Sequence, residues 1–121
     1  MDFQSHDVKV GAGPQIALGD TVRLLYQVFI ADGHNGQTKL VESNLWPEEP
    51  IEVRVLPEHL LPGILRGLVG MRSGGGVRRL VIPPELALGE RDWMGIPGGS
   101  TLEIEICVPF ISSTAGLVKS E

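Results

Sequence analysis

Hydrophobic and polar residues alternate along most of this chain, with the period of two that is typical of half-buried β-strands. In the run from 101 to 110, every second residue is aliphatic: Leu102, Ile104, Ile106 and Val108. Shorter runs that are rich in β-branched residues predict five more strands, at 8–10, 21–30, 39–43, 51–55 and 77–82. Prolines and glycines separate these runs, as expected for turns between antiparallel strands.

One segment follows a helical period instead. Its apolar residues recur every three or four positions and form a single stripe of about three turns: Leu60, Leu61, Ile64, Leu65 and Leu68. Pro57 favours a helix that starts there, because the N–H that proline lacks would have no partner in a first turn. Several strands and one short helix predict an α+β fold, in which the helix lies across an antiparallel sheet. Residues 1–6 and 112–121 show no such pattern, so we expect both ends to be flexible.

The composition indicates one globular domain, 1–121, with an aliphatic core. Of the 121 residues, 42% are hydrophobic and only 5% are aromatic, which suits a single core of ordinary size. The net charge of −5 argues against binding to nucleic acid, which depends on clustered lysine and arginine. No apolar run approaches the ~20 residues of a membrane helix, so we expect no membrane partner.

The cysteine and histidine content argues against redox and metal chemistry. Cys107 is the one cysteine of the chain. It cannot form an internal disulfide, and we interpret it as a small core residue. The three histidines lack the spacing of metal ligands, so we expect neither a metal nor a cofactor. The N-terminal residues have neither the basic nor the apolar region of a signal peptide, and we predict a soluble cytoplasmic protein.

A series of short motifs follows in a definite order. After a Gly-Asp turn and a strand that contains Tyr26, the chain carries Gly-Leu-Val-Gly-Met at 67–71 and Val-Ile-Pro-Pro-Glu-Leu-Ala at 81–87. Leu-Gly-Glu-Arg, Gly-Ile-Pro and Ser-Thr-Leu complete the series between 88 and 102. In this order and at these spacings, residues 8–110 resemble the FKBP-type peptidyl-prolyl cis-trans isomerases. The resemblance implies a strongly bent antiparallel sheet wrapped around one short helix, with a proline pocket between the two.

The resemblance also implies which residues form the site. Tyr26 and Glu42 would form its polar wall. The Leu61 N–H would bind a carbonyl of the substrate, and Leu88 takes the loop position at which the family usually carries a hydrogen-bonding tyrosine. The substrate would contact seven further residues: Val41, Ile51, Leu60, Ile64, Trp93, Ile96 and Ile104.

This lining departs from the family's pattern because it has few aromatic rings. Five positions that usually carry one are aliphatic here: Val41, Ile51, Ile64, Leu88 and Ile104. The pocket should stay apolar but lose ring stacking and a phenol donor, so we expect weak isomerase activity and weak binding of macrolide ligands. Trp93, beside Met94, could fold over the pocket and replace a missing ring, or face solvent or a partner. His59 could lie at the pocket rim or on the surface.

Three functions are open at this point. The first is a monomeric peptidyl-prolyl isomerase of low activity that acts on proline-containing peptides or proteins. The second is a binding module that holds a protein partner or an apolar small molecule in the same cleft without turnover. The third is an enzyme that uses Glu42 and Tyr26 for acid–base chemistry on a small molecule, which would require a raised pKa at Glu42 in an apolar pocket.

Overall fold

The computed structural model describes residues 3–31, 38–45, 48–93 and 95–113, and these form seven strands and one α-helix. In chain order the strands are β1 (Gln4–Lys9), β2 (Thr21–Ala31), β3 (Thr38–Ser43), β4 (Ile51–Arg54), β5 (Gly76–Ile82), β6 (Leu102–Val108) and β7 (Ile111–Ser113). The helix α1 (Pro62–Leu68) lies between β4 and β5, and a short 3-10 turn (Pro84–Leu86) follows β5. The predicted α+β class, an antiparallel sheet with one short helix, is confirmed.

The sheet curls around β2. The second half of this strand pairs with β6 on one side and with β3 on the other, whereas its first residues pair with β4 and β7. The strand order is β1-β5-β6-β2-β3, and all of these pairings are antiparallel. Because this 11-residue strand changes neighbours half-way along, the sheet bends there and encloses one of its faces.

The enclosed face carries the hydrophobic core, and the alternation of the sequence builds it. In β6 the four aliphatic residues are all buried, whereas the residues between them are half-buried. β2 buries Val22, Leu24 and Val28 in the same core. Since strand residues two positions apart share a face, the two strands form one continuous aliphatic wall.

Two glycines let α1 pack closely against β5. A Cβ atom on Gly63 would lie 2.3 Å from Cγ2 of Ile82, and one on Gly67 would lie 2.4 Å from Cδ1 of Leu80. Both of these partner side chains are fully buried. A larger residue on this face of the helix would push α1 away from the sheet, because a packed core resists added volume.

α1 begins later than the sequence predicted. We expected a start at Pro57 and about three turns, but the helix spans the seven residues Pro62–Leu68, which is about two turns. The reason is that Pro62 occupies the start of the helix, and a proline ring disfavours helical dihedrals in the residue before it. Leu61 accordingly has φ −59° and ψ 144° and lies outside the helix. No helix among the described residues is long and apolar enough to cross a membrane.

Both ends of the described chain join the sheet, although we expected them to be flexible. Residues 4–6 belong to β1, which pairs with β5 from Gln4 opposite Val81 onward. At the other end, β7 pairs with the start of β2, so Ser112 and Ser113 are part of a strand. Residues 114–121 of the expected tail lie outside the described residues.

Candidate functional site

A cavity of about 240 Å³ lies between the sheet, α1 and the loop that precedes β6. Residues of β2, β3, β4 and β6 line one side, and residues from the segments 59–64 and 88–96 line the other. Apart from Tyr26, Glu42 and His59, every lining side chain is hydrophobic. The volume is below the ~300–1,000 Å³ typical of sites for drug-sized ligands, so it suits one small apolar group.

The register between β2 and β6 explains the sheet side of the cavity. Tyr26 lies opposite Ile106, and Val28 lies opposite Ile104. Residues directly opposite one another in an antiparallel pair project to the same side of the sheet, and the period of two repeats this along each strand. The alternating pattern of the sequence therefore becomes one wall of the cavity.

Ten of the eleven residues predicted from the sequence line this cavity: Tyr26, Glu42, Ile51, Leu60, Leu61, Ile64, Leu88, Trp93, Ile96 and Ile104. The exception is Val41. The pairing of β3 with β2 passes from Glu42 opposite Val28 to Leu40 opposite Phe29, which leaves Val41 as the extra residue of a β-bulge. Its half-buried side chain packs against the core and does not line the cavity. The roles of all these residues in catalysis and binding stay predictions.

Five strand residues that line the cavity were not assigned to the site from the sequence: Leu24, Val28, Val53, Leu102 and Ile106. Each lies two positions from an assigned residue on the same strand and therefore shares its face. The period of two that located the strands would also have found them.

The polar wall of the cavity is a hydrogen-bonded pair. The hydroxyl of Tyr26 donates to Oε2 of Glu42 at 2.5 Å. Glu42 lies opposite Val28, two residues beyond Tyr26 on the same face, so this is a diagonal contact between neighbouring strands. Burial, and then the adjacent Glu42 carboxylate, raise the pKa of Tyr26 to about 12. The phenol therefore keeps its proton at neutral pH and shares it with Glu42.

Asn44 fixes the backbone from which Tyr26 projects. Its Oδ1 accepts a hydrogen bond from the Tyr26 N–H at 2.7 Å, and its Nδ2 donates to the Leu24 carbonyl at 3.0 Å. The backbone N–H of Asn44 donates to the Tyr26 carbonyl at 3.2 Å. Asn44 thus bonds to β2 at the point where the strand beside β2 changes from β4 to β3.

Two residues that line the cavity beside the start of α1 carry polar groups. The N–H of Leu61 donates to no acceptor among the described residues, and Leu61 lines the cavity. A backbone N–H at the edge of an apolar space gains much from a carbonyl partner, because leaving it unpaired there is costly. His59, for which both a rim and a surface position were open, lines the cavity and is exposed.

The loop before β6 is held by its own hydrogen bonds. Trp93 and Ile96 exchange backbone hydrogen bonds of 2.9 and 2.8 Å, and Gly95, which precedes Ile96, has a φ of 86°. Oδ1 of Asp92 accepts a hydrogen bond from the Gly98 N–H at 2.6 Å. Ile96 is buried, whereas Trp93 is 48% exposed. Trp93 thus borders the cavity without filling it, and Met94 lies outside the described residues.

The described residues offer little for metal or thiol chemistry. Among them, no three His, Cys, Asp or Glu side chains lie close enough together to hold a metal ion. Cys107 lies between Leu25 and Val77 on neighbouring strands, and it is half-buried rather than part of the core. Burial raises the pKa of the Cys107 thiol, which leaves it protonated and unreactive at neutral pH.

The family model for FKBP-type peptidyl-prolyl cis-trans isomerases matches residues 13–108, a range that contains every residue lining the cavity. The chain belongs to this family. The resemblance drawn from the order of the sequence motifs is therefore confirmed, and so is the bent sheet around one helix that it implied. In this FKBP domain, the cavity occupies the place between helix and sheet where that resemblance put the proline pocket.

Relatives and solved structures agree with this assignment. FK506-binding protein 4 of Chaetomium thermophilum is 40% identical over 100 residues, which cover 83% of this chain and 19% of that protein. FkpA of Escherichia coli, an FKBP-type peptidyl-prolyl cis-trans isomerase, is 34% identical over 99 residues, which cover 82% of this chain and 34% of FkpA. The domain thus spans about a fifth to a third of these curated relatives.

The folds are alike over almost the whole chain. The crystal structure of FkpA from Escherichia coli matches with a TM-score of 0.78 at 31% identity, over 92% of this chain and 48% of that one. The crystal structure of AtFKBP13 matches with a TM-score of 0.77 at 27% identity, over 91% of this chain and 93% of that one.

Proposed function

We propose that this FKBP domain catalyses the cis–trans isomerisation of X–Pro bonds in peptides or proteins, at a low rate for its family. The observation that carries the proposal is the apolar cavity of about 240 Å³, which is lined by Leu61 among others; the N–H of Leu61 is unpaired among the described residues. Membership of the family supports the reaction class.

The reaction needs a surrounding that favours a twisted amide, and it needs no covalent intermediate. The barrier of ~18–20 kcal/mol comes from amide resonance, and rotation about the bond removes that resonance. A planar amide is more dipolar than a twisted one, so an apolar cavity that withdraws the bond from water favours the twisted form. A proline ring against Ile64 and Ile104 would hold one side of the bond, and the Leu61 N–H would hold a carbonyl of the substrate.

Tyr26 and Glu42 support the cavity wall in this mechanism and transfer no proton. The phenol proton already lies in the hydrogen bond to Glu42, and the Tyr26 pKa of about 12 is far from the neutral values that suit proton transfer. The same observation disfavours Tyr26 as the acid or base of an acid–base enzyme.

The low rate follows from the lack of an aromatic ring at position 64 and of a hydrogen-bond donor in the side chain at position 88. Leu88 lines the cavity but has no group that could donate to the substrate carbonyl. Removal of one transition-state donor can lower a rate on the order of 10²-fold. Ile64 offers no ring face, and stacking of an aromatic pair is worth roughly 0.5–1.5 kcal/mol.

A second candidate is a binding module that holds a proline-containing segment or an apolar small molecule without turnover. The half-exposed Trp93 at the cavity edge favours it, because exposed apolar surface beside a pocket is typical of interaction sites. Binding would require only the apolar walls and the Leu61 N–H.

The experiment measures catalysed isomerisation of short X–Pro peptides by the wild type, by the Ile64→Trp/Leu88→Tyr double variant and by FkpA. We expect slow but measurable catalysis by the wild type and a gain of about 10-fold or more in the double variant. Phe110→Ala changes an exposed residue that does not line the cavity, and it should keep the wild-type rate. Wild-type activity equal to that of FkpA would contradict the low rate, whereas peptide binding without catalysis would favour the binding module.

A further inference from the structure

An apolar groove of about 470 Å³ lies along α1, and none of its lining residues lines the cavity described above. Its walls come from six residues: Leu18, Pro57, Pro62, Leu65, Arg66 and Val69. Residues four positions apart share one face of a helix, so Leu65 and Val69 form one apolar strip. Leu18 is 54% exposed and Val69 is 41% exposed. Exposed apolar surface gathered in one groove is typical of interaction sites.

Three chain segments meet at this groove, and backbone hydrogen bonds hold them together. The N–H of Gly19 donates to the Val55 carbonyl at 2.9 Å, so the turn that carries Leu18 lies beside the end of β4. The N–H of Gly70 donates to the Ile16 carbonyl at 2.8 Å, which ties the same turn to the end of α1. Leu18 is therefore held in place between β4 and α1 with its side chain exposed.

The chain runs towards this groove where the described residues end. β7 pairs with β2 in the antiparallel sense, and Ser113 lies opposite Thr21. Beyond Ser113 the chain therefore continues towards the residues that precede Thr21, among which Leu18 is the third. The segment 114–121 follows directly and reads Thr-Ala-Gly-Leu-Val-Lys-Ser-Glu; it lies outside the described residues.

The apolar part of this segment begins at the distance that the groove requires. Consecutive Cα atoms are ~3.8 Å apart, so Leu18 lies within ~11 Å of Thr21 along the backbone. The pair of Thr21 and Ser113 adds ~5 Å. Four residues of extended chain span ~13 Å, which brings the side chains of Leu117 and Val118 within reach of Leu18.

We propose that this groove is the docking site of Leu117 and Val118 of the same chain. These two are the large aliphatic residues of the segment 114–121, and polar or small residues flank them on both sides. Their side chains match the apolar lining of the groove. Glu121, four residues after Leu117, carries the charge opposite to that of Arg66 in the groove wall.

Attachment at Ser113 favours this segment over the same segment of a second copy. A tethered group is present at an effective concentration on the order of millimolar, above the concentration of any second chain in dilute solution. Burial of two aliphatic side chains, together with the exposed parts of Leu18 and Val69, favours docking. The ordering of residues 114–118 opposes it. Since the two effects are similar in size, we expect the docked form to exceed the undocked form by about 3- to 10-fold.

Nuclear magnetic resonance of the full chain tests the contact directly. In the wild type we expect nuclear Overhauser effects between methyl protons of Leu117 or Val118 and those of Leu18 or Val69. The Leu117→Ser/Val118→Ser double variant changes only residues beyond β7. It should remove these effects and shift the methyl signals of Leu18 and Val69, because their surroundings change from protein to water.

A variant of the groove provides the converse test. Leu18→Ser removes the exposed leucine from the groove wall, so exchange of the Leu117 amide proton with water should become about 3- to 10-fold faster. The matched control is Val10→Ser. Val10 is 65% exposed and does not line the groove, so this variant should leave the exchange rate of Leu117 unchanged.

The outcomes separate docking within one chain from its alternatives, and none of them depends on turnover of X–Pro bonds. Absence of the Overhauser effects, with unshifted Leu18 and Val69 signals in the double variant, overturns the proposal. Effects between labelled and unlabelled chains in a mixed sample would show that a second copy fills the groove, and they also overturn it. Circular dichroism shows whether Leu18→Ser is folded; if it is not, the double variant alone decides.

Discussion

The hydroxyl oxygen of Tyr26 and Oε2 of Glu42 are 2.5 Å apart, across a diagonal of the β2–β3 pair. Among the described residues, this is the one side-chain hydrogen bond between two residues that line the cavity. A carboxylate that accepts a bond from a phenol favours the protonated form of that phenol. The protonation of the Tyr26 phenol therefore depends on the geometry of this contact.

We expect the phenol of Tyr26 to titrate near pH 12 instead of its usual value of 10.0. Because the folded pKa lies above the unfolded one, the associated stability is fully present below pH 10 and is lost as the pH rises towards 12. Tyr26 is the single tyrosine of the chain, so ultraviolet absorbance reports its titration directly. Glu42→Gln should lower the midpoint but leave it above 10, because burial is the larger cause. A wild-type midpoint near 10 would show that neither burial nor Glu42 raises the pKa of Tyr26.

Replacement of Asn44 by alanine should lower the free energy of unfolding by about 1–3 kcal/mol. The substitution leaves the Tyr26 N–H and the Leu24 carbonyl, both partly buried, without their side-chain partner. Asn44→Asp keeps an acceptor for the Tyr26 N–H and loses the donor to Leu24, so its effect should be smaller. Urea unfolding measures both, with the exposed Gln4→Ala as a control. A change below about 0.5 kcal/mol in Asn44→Ala would show that the backbone bonds of Asn44 suffice.

The elements that could be predicted are those in which the side-chain pattern alone decides the structure. β6 buries every second residue from Leu102 to Val108, as the alternation in the sequence required. The predicted start of α1 was wrong because an apolar stripe shows which face of a helix is buried, but does not show that Pro62 keeps Leu61 out of the helix. The early start of β1 was not predicted because all six residues of this strand are exposed, and no alternation of buried and exposed residues marks its extent.

The site was predictable where motif order and strand period bring residues to one face, and unpredictable where backbone geometry decides. Val41 does not line the cavity because a β-bulge interrupts the register of β3, and no residue type signals that bulge. The position of Trp93 depends on its two backbone hydrogen bonds with Ile96 and on the bond from Gly98 to Asp92. Periodicity does not encode loop contacts of this kind.

The ion pair of Asp7 and Arg78 should stabilise the attachment of β1 in a pH-dependent way. Arg78 donates to both carboxylate oxygens of Asp7, at 2.7 and 3.2 Å, and the hydrogen bond holds the pKa of Asp7 below its usual 3.8. Since the folded pKa is depressed, the stabilisation is present above 3.8 and is lost as the pH falls through the folded value. Asp7→Asn should therefore lower the free energy of unfolding at neutral pH and have little effect in strong acid.

The expected loss at neutral pH is at most about 1 kcal/mol, because the Asp7 side chain is 41% exposed and solvent screens the pair. Glu52→Gln provides the matched control, since Arg23 and Glu52 form a single contact of 3.4 Å with both side chains more than 40% exposed. Urea unfolding at neutral and acid pH compares the two variants. Equal losses would show that the contact of Arg78 with both carboxylate oxygens of Asp7 adds nothing to the free energy of unfolding.

Alanine at position 67 should destabilise the protein, although alanine usually stabilises a helix. In an exposed helix interior, Gly→Ala raises stability by roughly 0.5–1 kcal/mol. Here the new Cβ would lie 2.4 Å from Cδ1 of Leu80, which is fully buried, so we expect Gly67→Ala to cost about 1–3 kcal/mol.

A double-mutant cycle with Leu80→Ala tests whether this contact is the cause of the loss. Once Leu80 is truncated, Gly67→Ala should cost much less, because the clash is removed and the helical preference of alanine remains. The helix also forms one side of the cavity, so its displacement by Gly67→Ala should weaken proline-peptide binding in parallel. A Gly67→Ala variant at least as stable as the wild type would show that α1 and β5 can separate without loss, and the helix would then not fix the width of the cavity.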